Sequence, residues 1–202
     1  MRSYIDEFLS LRCAADVLEA VYPLKRAEKE ISESIALITA IRGKCLAEPG
    51  EWTVVDACAG NALTGILAAH LLPVARVVAI DKRQSIREGF GRVRNFDYRV
   101  QDINDDTFWS TCPRSTIIVA SHPCKDLAIK LCEIAATYDW PLAMLPCCIS
   151  RRELPEWTWA LVKENGKYFA WLAYLAVQIE GGFRIDKKCL SPCNGLVTRG
   201  LS

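Results

Sequence analysis

Apolar residues recur at Ile31, Ile35, Ile38 and Ile41, with charged and polar residues between them. That spacing follows the 3.6-residue period of a helix with one buried face and predicts a helix over residues 24–47, stopped by Pro49-Gly50. The segment before Pro23, residues 5–21, is expected to form another helix. From residue 52 the pattern changes, and short β-branched runs alternate with longer amphipathic stretches. Strands are expected at WTVVDA (52–57), ARVVAID (75–81), YRVQDI (98–103), STIIVAS (115–121) and LAMLPCC (142–148). Helices are expected at 61–72 and 124–138, with a weaker one at 84–93. Residues 155–180 read as one or two helices interrupted near Asn165-Gly166, and 183–190 with 194–201 as a closing hairpin.

Strands alternating with helices point to an α/β chain, with a mostly parallel sheet covered on both faces. A terminal antiparallel hairpin is a common addition to such a sheet. The expected organisation is N-terminal helices over residues 1–48 packing on a Rossmann-like domain over 49–202, one structural domain overall. The length of 202 residues suits one domain with a full core. A hydrophobic fraction of 51% and a mean hydropathy of +0.11 exclude a disordered chain. The net charge of +1 provides no global field toward nucleic acid or membrane, so a nucleic-acid partner would need a local basic patch. Ten cysteines suggest a disulfide framework at first sight. Most sit in apolar runs, however, and the N-terminus carries charges where a secretory signal needs an apolar core. A reduced, cytoplasmic protein is the expectation. No apolar run approaches the roughly 20 residues that span a bilayer, so no membrane partner is expected.

The most informative stretch is VVDACAGNALTG, residues 54–65. A strand ends in Asp56 and passes through Ala57, Cys58, Ala59 and Gly60 into a helix. Small residues there let the backbone approach a ligand, and the helix start adds free N–H donors. The next strand ends in Asp81, placed to accept hydrogen bonds from both hydroxyls of a ribose, and the third in Asp102, placed to receive an adenine amine. The loop lacks the full Gly-x-Gly-x-x-Gly pattern of dinucleotide sites. An acid beside it would repel a pyrophosphate but suit an ammonium or sulfonium group. S-adenosylmethionine combines ribose, adenine, amine and sulfonium. Its expected binding residues are Asp56, Cys58, Ala59, Gly60, Asp81, Lys82, Asp102 and Ser121. The plain alternative is that these acids are only solvated strand ends.

The series VVDACAGNALTG, VVAIDKR, VQDI and IIVASHPC resembles a class I S-adenosylmethionine-dependent methyltransferase over roughly residues 50–150. Within that class, SHPCKDL followed by LPCC is similar to the His-x-Cys-Gly-x-x-Leu plus Cys-Cys pattern of the tRNA 2′-O-methyltransferase Trm13 group and its methyltransferase-like relatives. The matching positions are His122, Cys124, Asp126, Leu127, Cys147 and Cys148. Lys125 stands where that group commonly has glycine, and Ala57-Cys58 replace the first glycine of the loop. The resemblance implies a seven-stranded methyltransferase fold and a tRNA 2′-hydroxyl or a small molecule as acceptor.

In that fold the end of the fourth strand faces the transferred methyl. His122 and Cys124 are therefore the candidate catalytic residues, His122 as base for a hydroxyl acceptor. Pro123, Arg151 and Arg152 are candidate substrate contacts. Lys82, Arg83, Arg87, Arg92, Arg94 and Arg99, interleaved with Phe90, Phe96 and Tyr98, suit RNA phosphates and bases or simply form a solvated face. Trp157 and Trp159 suit core packing, a substrate wall or a homodimer contact. A zinc site on His122, Cys124, Cys147 and Cys148 is disfavoured, and no metal is expected: adjacent cysteines on a strand point to opposite faces, and zinc sites usually carry Cys-x-x-Cys clips. A non-catalytic nucleoside-binding module and a zinc-binding Cys/His protein remain the alternatives to an enzyme.

Overall fold

The computed structural model describes residues 3–149 and 154–201. At its centre is a seven-stranded sheet of order β3-β2-β1-β4-β5-β7-β6. The strands are β1 (Thr53–Ala57), β2 (Arg76–Asp81), β3 (Phe96–Val100), β4 (Thr116–Ser121), β5 (Leu142–Leu145), β6 (Gly182–Ile185) and β7 (Gly195–Arg199). β1 to β5 pair in parallel, and β7 runs antiparallel between β5 and β6. The mostly parallel sheet and antiparallel C-terminal hairpin match the sequence expectation. The helices are α1 (Tyr4–Leu9), α2 (Ala14–Ala20), α3 (Ala27–Ala47), α4 (Leu63–Leu71), α5 (Asp106–Ser110), α6 (Asp126–Tyr138) and α7 (Trp159–Gln178).

Two apolar layers enclose the sheet. On one face α1 to α4 meet Val54, Val77, Ile117 and Leu145; on the other α5 to α7 meet Val55, Val78, Ile118 and Met144. All five residues of β1 are buried, as strands covered on both faces must be. α3 buries the expected Ile31, Ile35, Ile38 and Ile41, together with Leu37 and Cys45. It also buries three consecutive polar residues, Ser32, Glu33 and Ser34, which a simple amphipathic reading places on the solvent side. None of the helices among the described residues is long and apolar enough to cross a membrane.

Several elements differ from the sequence expectation, each for a local reason. The helix expected over 5–21 is split into α1 and α2. α1 opens on a capping box of Ser3 and Asp6 and closes at Ser10, whose hydroxyl donates to the Glu7 carbonyl. The weak helix at 84–93 is a short 3₁₀ turn, Glu88–Arg92. It holds two glycines, and Gly89 lies so close to α2 that a Cβ would stand 2.5 Å from the Ala20 Cα. β3 ends at Val100, leaving Asp102 in the turn that follows. β5 ends at Leu145, because Pro146 has no N–H to donate to a ladder. The break expected near Asn165-Gly166 is present, with Gly166 at φ 84° inside α7.

Candidate functional site

A cavity of about 670 Å³ opens at the carboxyl ends of β1, β2 and β4, with α3 forming the opposite wall. The chain order of the sheet reverses between β1 and β4, and open α/β sheets bind ligands at that point. Cys58, Ala59, Gly60, Asp81, Lys82 and Asp102 line the cavity, joined by Ser121, His122 and Cys124. Nine of the candidate site residues are thus brought together, and Arg83 and Leu127 line the cavity with them. Asp56 and Pro123 are not among the lining residues. Arg151 and Arg152 lie outside the described residues.

β2 carries Asp81 to the cavity. Its Oδ2 accepts from the Gly60 N–H at 2.9 Å, and its Oδ1 accepts from the Arg83 N–H at 2.9 Å and from Arg83 Nε at 3.1 Å. Burial raises the Asp81 carboxyl, but the Arg83 and Gly60 donors and the Arg83 charge outweigh it and hold the group below the usual carboxylate range. A buried acid is thereby kept ionised beside a turn of small residues. The Arg83 side chain that covers it is 72% exposed, so it has room to move aside.

Asp56 behaves in the opposite way. It is buried, and its Oδ2 accepts from the Gly65 N–H in the first turn of α4 at 2.8 Å. Burial pushes its carboxyl up to about 7, the Gly65 bond opposing and the Asp81 charge adding to the rise. Its carboxyl group braces the start of α4 through this bond. Asp102 faces the cavity with an oxygen already used: Oδ1 accepts from Asn104 N and Nδ2, both at 2.9 Å.

His122 follows β4 in the left-handed region, at φ 61°, and its N–H donates to the Leu145 carbonyl at 3.0 Å. Its Nε2 lies 2.7 Å from Glu33 Oε2 and 3.0 Å from Lys29 Nζ. Glu33 is fully buried, with Lys29 3.3 Å from its other oxygen. Burial disfavours the Glu33 charge, but hydrogen bonds from His122 and Ser191 and the His122 and Lys29 charges more than offset it, so the carboxyl lies below its ordinary value. Arg26, Glu30 and Ser34, from α3 and its start, also line the cavity. Sequence reasoning missed this wall entirely. The one available signal was the polar run Ser32-Glu33-Ser34 within an otherwise apolar-periodic helix.

The cysteines also depart from expectation. Cys147 and Cys148 lie past the end of β5, so the alternation that would send them to opposite faces no longer applies. Their sulfurs are 3.4 Å apart, and Cys124 Sγ is 3.0 Å from Cys147 Sγ. Burial raises the thiols of Cys124 and Cys147. Cys58, just after β1, is pushed up to about 12 by burial and by the Asp81 and Asp56 charges.

The basic, aromatic stretch after β2 is spent largely on the fold. Arg87 donates to the Val21 and Pro23 carbonyls, Arg92 pairs with Glu19, and Arg99 pairs with Asp97. Phe90 is buried and stacks on Tyr98. Trp157 and Trp159 are exposed and do not line the cavity.

No family model matches the chain. The glutathione S-transferase C-terminal domain-containing protein of Xenopus laevis is 28% identical over 153 residues, covering 72% of this chain. The chain spans about a quarter of that relative's length, 24%. Among solved structures, the fibrillarin pre-rRNA processing protein of Methanococcus jannaschii superposes with a TM-score of 0.54 at 10% identity, over 86% of this chain and 75% of that one. An O-methyltransferase family protein from Burkholderia thailandensis superposes with a TM-score of 0.53 at 11% identity, over 97% of this chain and 61% of that one. At such identities the likeness establishes the fold: this is a Rossmann-like methyltransferase fold.

Proposed function

We propose that the chain is an S-adenosylmethionine-dependent methyltransferase. The observation that carries this reading is Asp81, a buried, ionised carboxylate beside the Gly60 turn at the sheet's switch point. A cavity of about 670 Å³ falls within the roughly 300–1,000 Å³ of small-molecule sites. The residues present suit the cofactor. Asp81 takes the ribose hydroxyls once Arg83 swings away, Ala59 and Gly60 offer close backbone, and Asp102 with Ile103 borders the adenine. S-adenosylmethionine supplies a methyl group on a cationic sulfonium, and neighbouring acids favour such a charge. Asp56 holds the loop and the α4 start in place from below.

His122 is the residue assigned to the acceptor. Glu33 accepts from the ring Nε2–H and fixes the imidazole, so a hydroxyl or N–H of the acceptor meets a ring already oriented, with Nδ1 left to face it. The finer reading, transfer to RNA such as a tRNA 2′-hydroxyl, is supported by Arg26 and Lys82. Both are exposed at the cavity rim and have no ion-pair partner among the described residues. Ten free cysteines support a reducing, cytoplasmic setting.

Two measurements test the proposal. Calorimetry should show that Asp81→Ala weakens S-adenosylmethionine binding by about 10–100-fold, the worth of hydrogen bonds to a charged group, while Arg83→Ala leaves binding intact or stronger. Equal affinity in Asp81→Ala would remove the ribose role. Incubation with methyl-labelled cofactor, total RNA and a small-metabolite extract then identifies the acceptor. Label entering neither pool, with cofactor bound, would favour a non-catalytic binding module.

A further inference from the structure

We propose that Cys124, Cys147 and Cys148 bind a zinc ion at the edge of the cavity. Among the described residues, these three form the group whose ligand atoms all lie within 4.8 Å of one another. Two of the separations are 3.0 and 3.4 Å. Zn–S bonds of about 2.3 Å in a tetrahedron set sulfurs about 3.8 Å apart, so small side-chain rotations convert this cluster into one face of that tetrahedron. A disulfide would need the sulfurs at about 2.05 Å.

The backbone around the thiols is held from several sides. The Lys125 N–H donates to the Cys148 carbonyl at 3.3 Å and the Tyr168 hydroxyl to the Pro146 carbonyl at 3.0 Å. Cys193 Sγ donates to the Cys147 carbonyl at 3.2 Å, tying the segment to the loop before β7. A preorganised three-thiol cluster loses little entropy on binding an ion. Burial favours the protonated form of Cys124 and Cys147 while no cation is present. A divalent ion reverses that preference: each thiol releases its proton to solvent as its Zn–S bond forms. Three thiolates and Zn²⁺ leave one excess negative charge, which the Lys125 charge acting on Cys124 helps to balance. An all-sulfur set selects zinc over magnesium or calcium, which take oxygen ligands. Cys124 also lines the cavity, so the ion's fourth position is open to water or a cavity ligand.

The site is independent of methyl transfer and stands or falls by metal measurements. The full chain, purified without chelator under reducing conditions, should carry about one zinc by elemental analysis. Cobalt added to the metal-free protein should give the charge-transfer and ligand-field bands of a tetrahedral thiolate site. Cys124→Ser, Cys147→Ser and Cys148→Ser should each weaken cobalt binding by about 100-fold or more, beyond the roughly 10–100-fold typical of residues that only orient a ligand. Cys13→Ser, in the turn between α1 and α2, should match the parent chain. Should a serine variant fail to fold, alkylation of the parent chain decides: these three thiols should resist iodoacetamide until a chelator is added. Sub-stoichiometric cobalt in the parent chain, unchanged affinity in Cys147→Ser, chelator-independent alkylation, or a Cys124–Cys147 disulfide in its place would each overturn the site. S-adenosylmethionine binding measured on the same metal-free samples reports on the cofactor cradle separately.

Discussion

Asp56 stands next to the end of β1 and Asp81 ends the neighbouring β2, yet their surroundings drive them in opposite directions. Asp81 is surrounded by donors and a guanidinium, and Asp56 has a single backbone N–H to offset complete burial. The Asp56 carboxyl rises from 3.8 to about 7, which fixes the sign of its effect on stability. Below about pH 4 it is protonated in both states and has no effect. Between about pH 4 and 7 the unfolded chain releases the proton and the folded chain retains it, so stability falls as pH rises, levelling off above 7. Asp56→Asn keeps an acceptor for Gly65 and removes this slope. Relative to the parent chain, it should gain stability between pH 4 and 8, by at most about 4 kcal/mol, in denaturant titrations across that range. Parallel pH profiles would place the charge elsewhere. Both acids were legible as strand ends. Their opposite behaviour was not, because it depends on donors supplied by α4 and by the Arg83 side chain.

The turn between β4 and α6 shows the same division at the level of an element. SHPCKDL reads from sequence as a motif. The structure shows that Cys124 to Leu127 form a tight turn, the Leu127 N–H donating to the Cys124 carbonyl at 3.1 Å. Lys125 occupies it at φ 54°, ψ −119°, the first central position of a type II′ turn, which glycine fills at no steric cost. Lys125→Gly should therefore stabilise the chain by about 1 kcal/mol, strain relief of roughly 1–3 kcal/mol outweighing the entropy of an added glycine. The Tm should rise by about 2–4 °C. A lower Tm would mean that the Lys125 side chain contributes more than its backbone costs. The end of β5 follows the same logic. Pro146 is visible in the sequence, but LAMLPCC reads as one strand through Cys148, and strand alternation would part the two thiols that the structure brings together.

For the molecule as a whole, the N-terminal helices form one wall of the cavity and close one face of the sheet. α3 supplies Glu33 and Lys29 to the site and buries Ile31, Ile35, Leu37, Ile38 and Ile41 in the same apolar layer as Val54 and Ile117. Each such side chain contributes about 1.5–3 kcal/mol, so the five together rival the roughly 5–15 kcal/mol of net stability typical of a domain. A chain lacking residues 1–48 should show no cooperative thermal transition by circular dichroism. A cooperative transition in residues 49–202 alone would show that the sheet and its remaining helices suffice.

The sequence by itself determined the alternation of strands and helices, the mostly parallel sheet with its antiparallel hairpin, and the strand ends that carry Asp81 and His122. Those features follow from short-range periodicity and turn chemistry, which act within a few residues. Tertiary structure alone decided that Glu33 would hold His122 across 89 positions of chain, with Lys29 beside the pair. It also decided that Cys124 would meet Cys147 across 23, and that one strand-end acid would be ionised while its neighbour keeps a proton near neutral pH. Contacts between distant segments, and the burial they create, follow from how elements pack; no local pattern of apolar and polar residues encodes them.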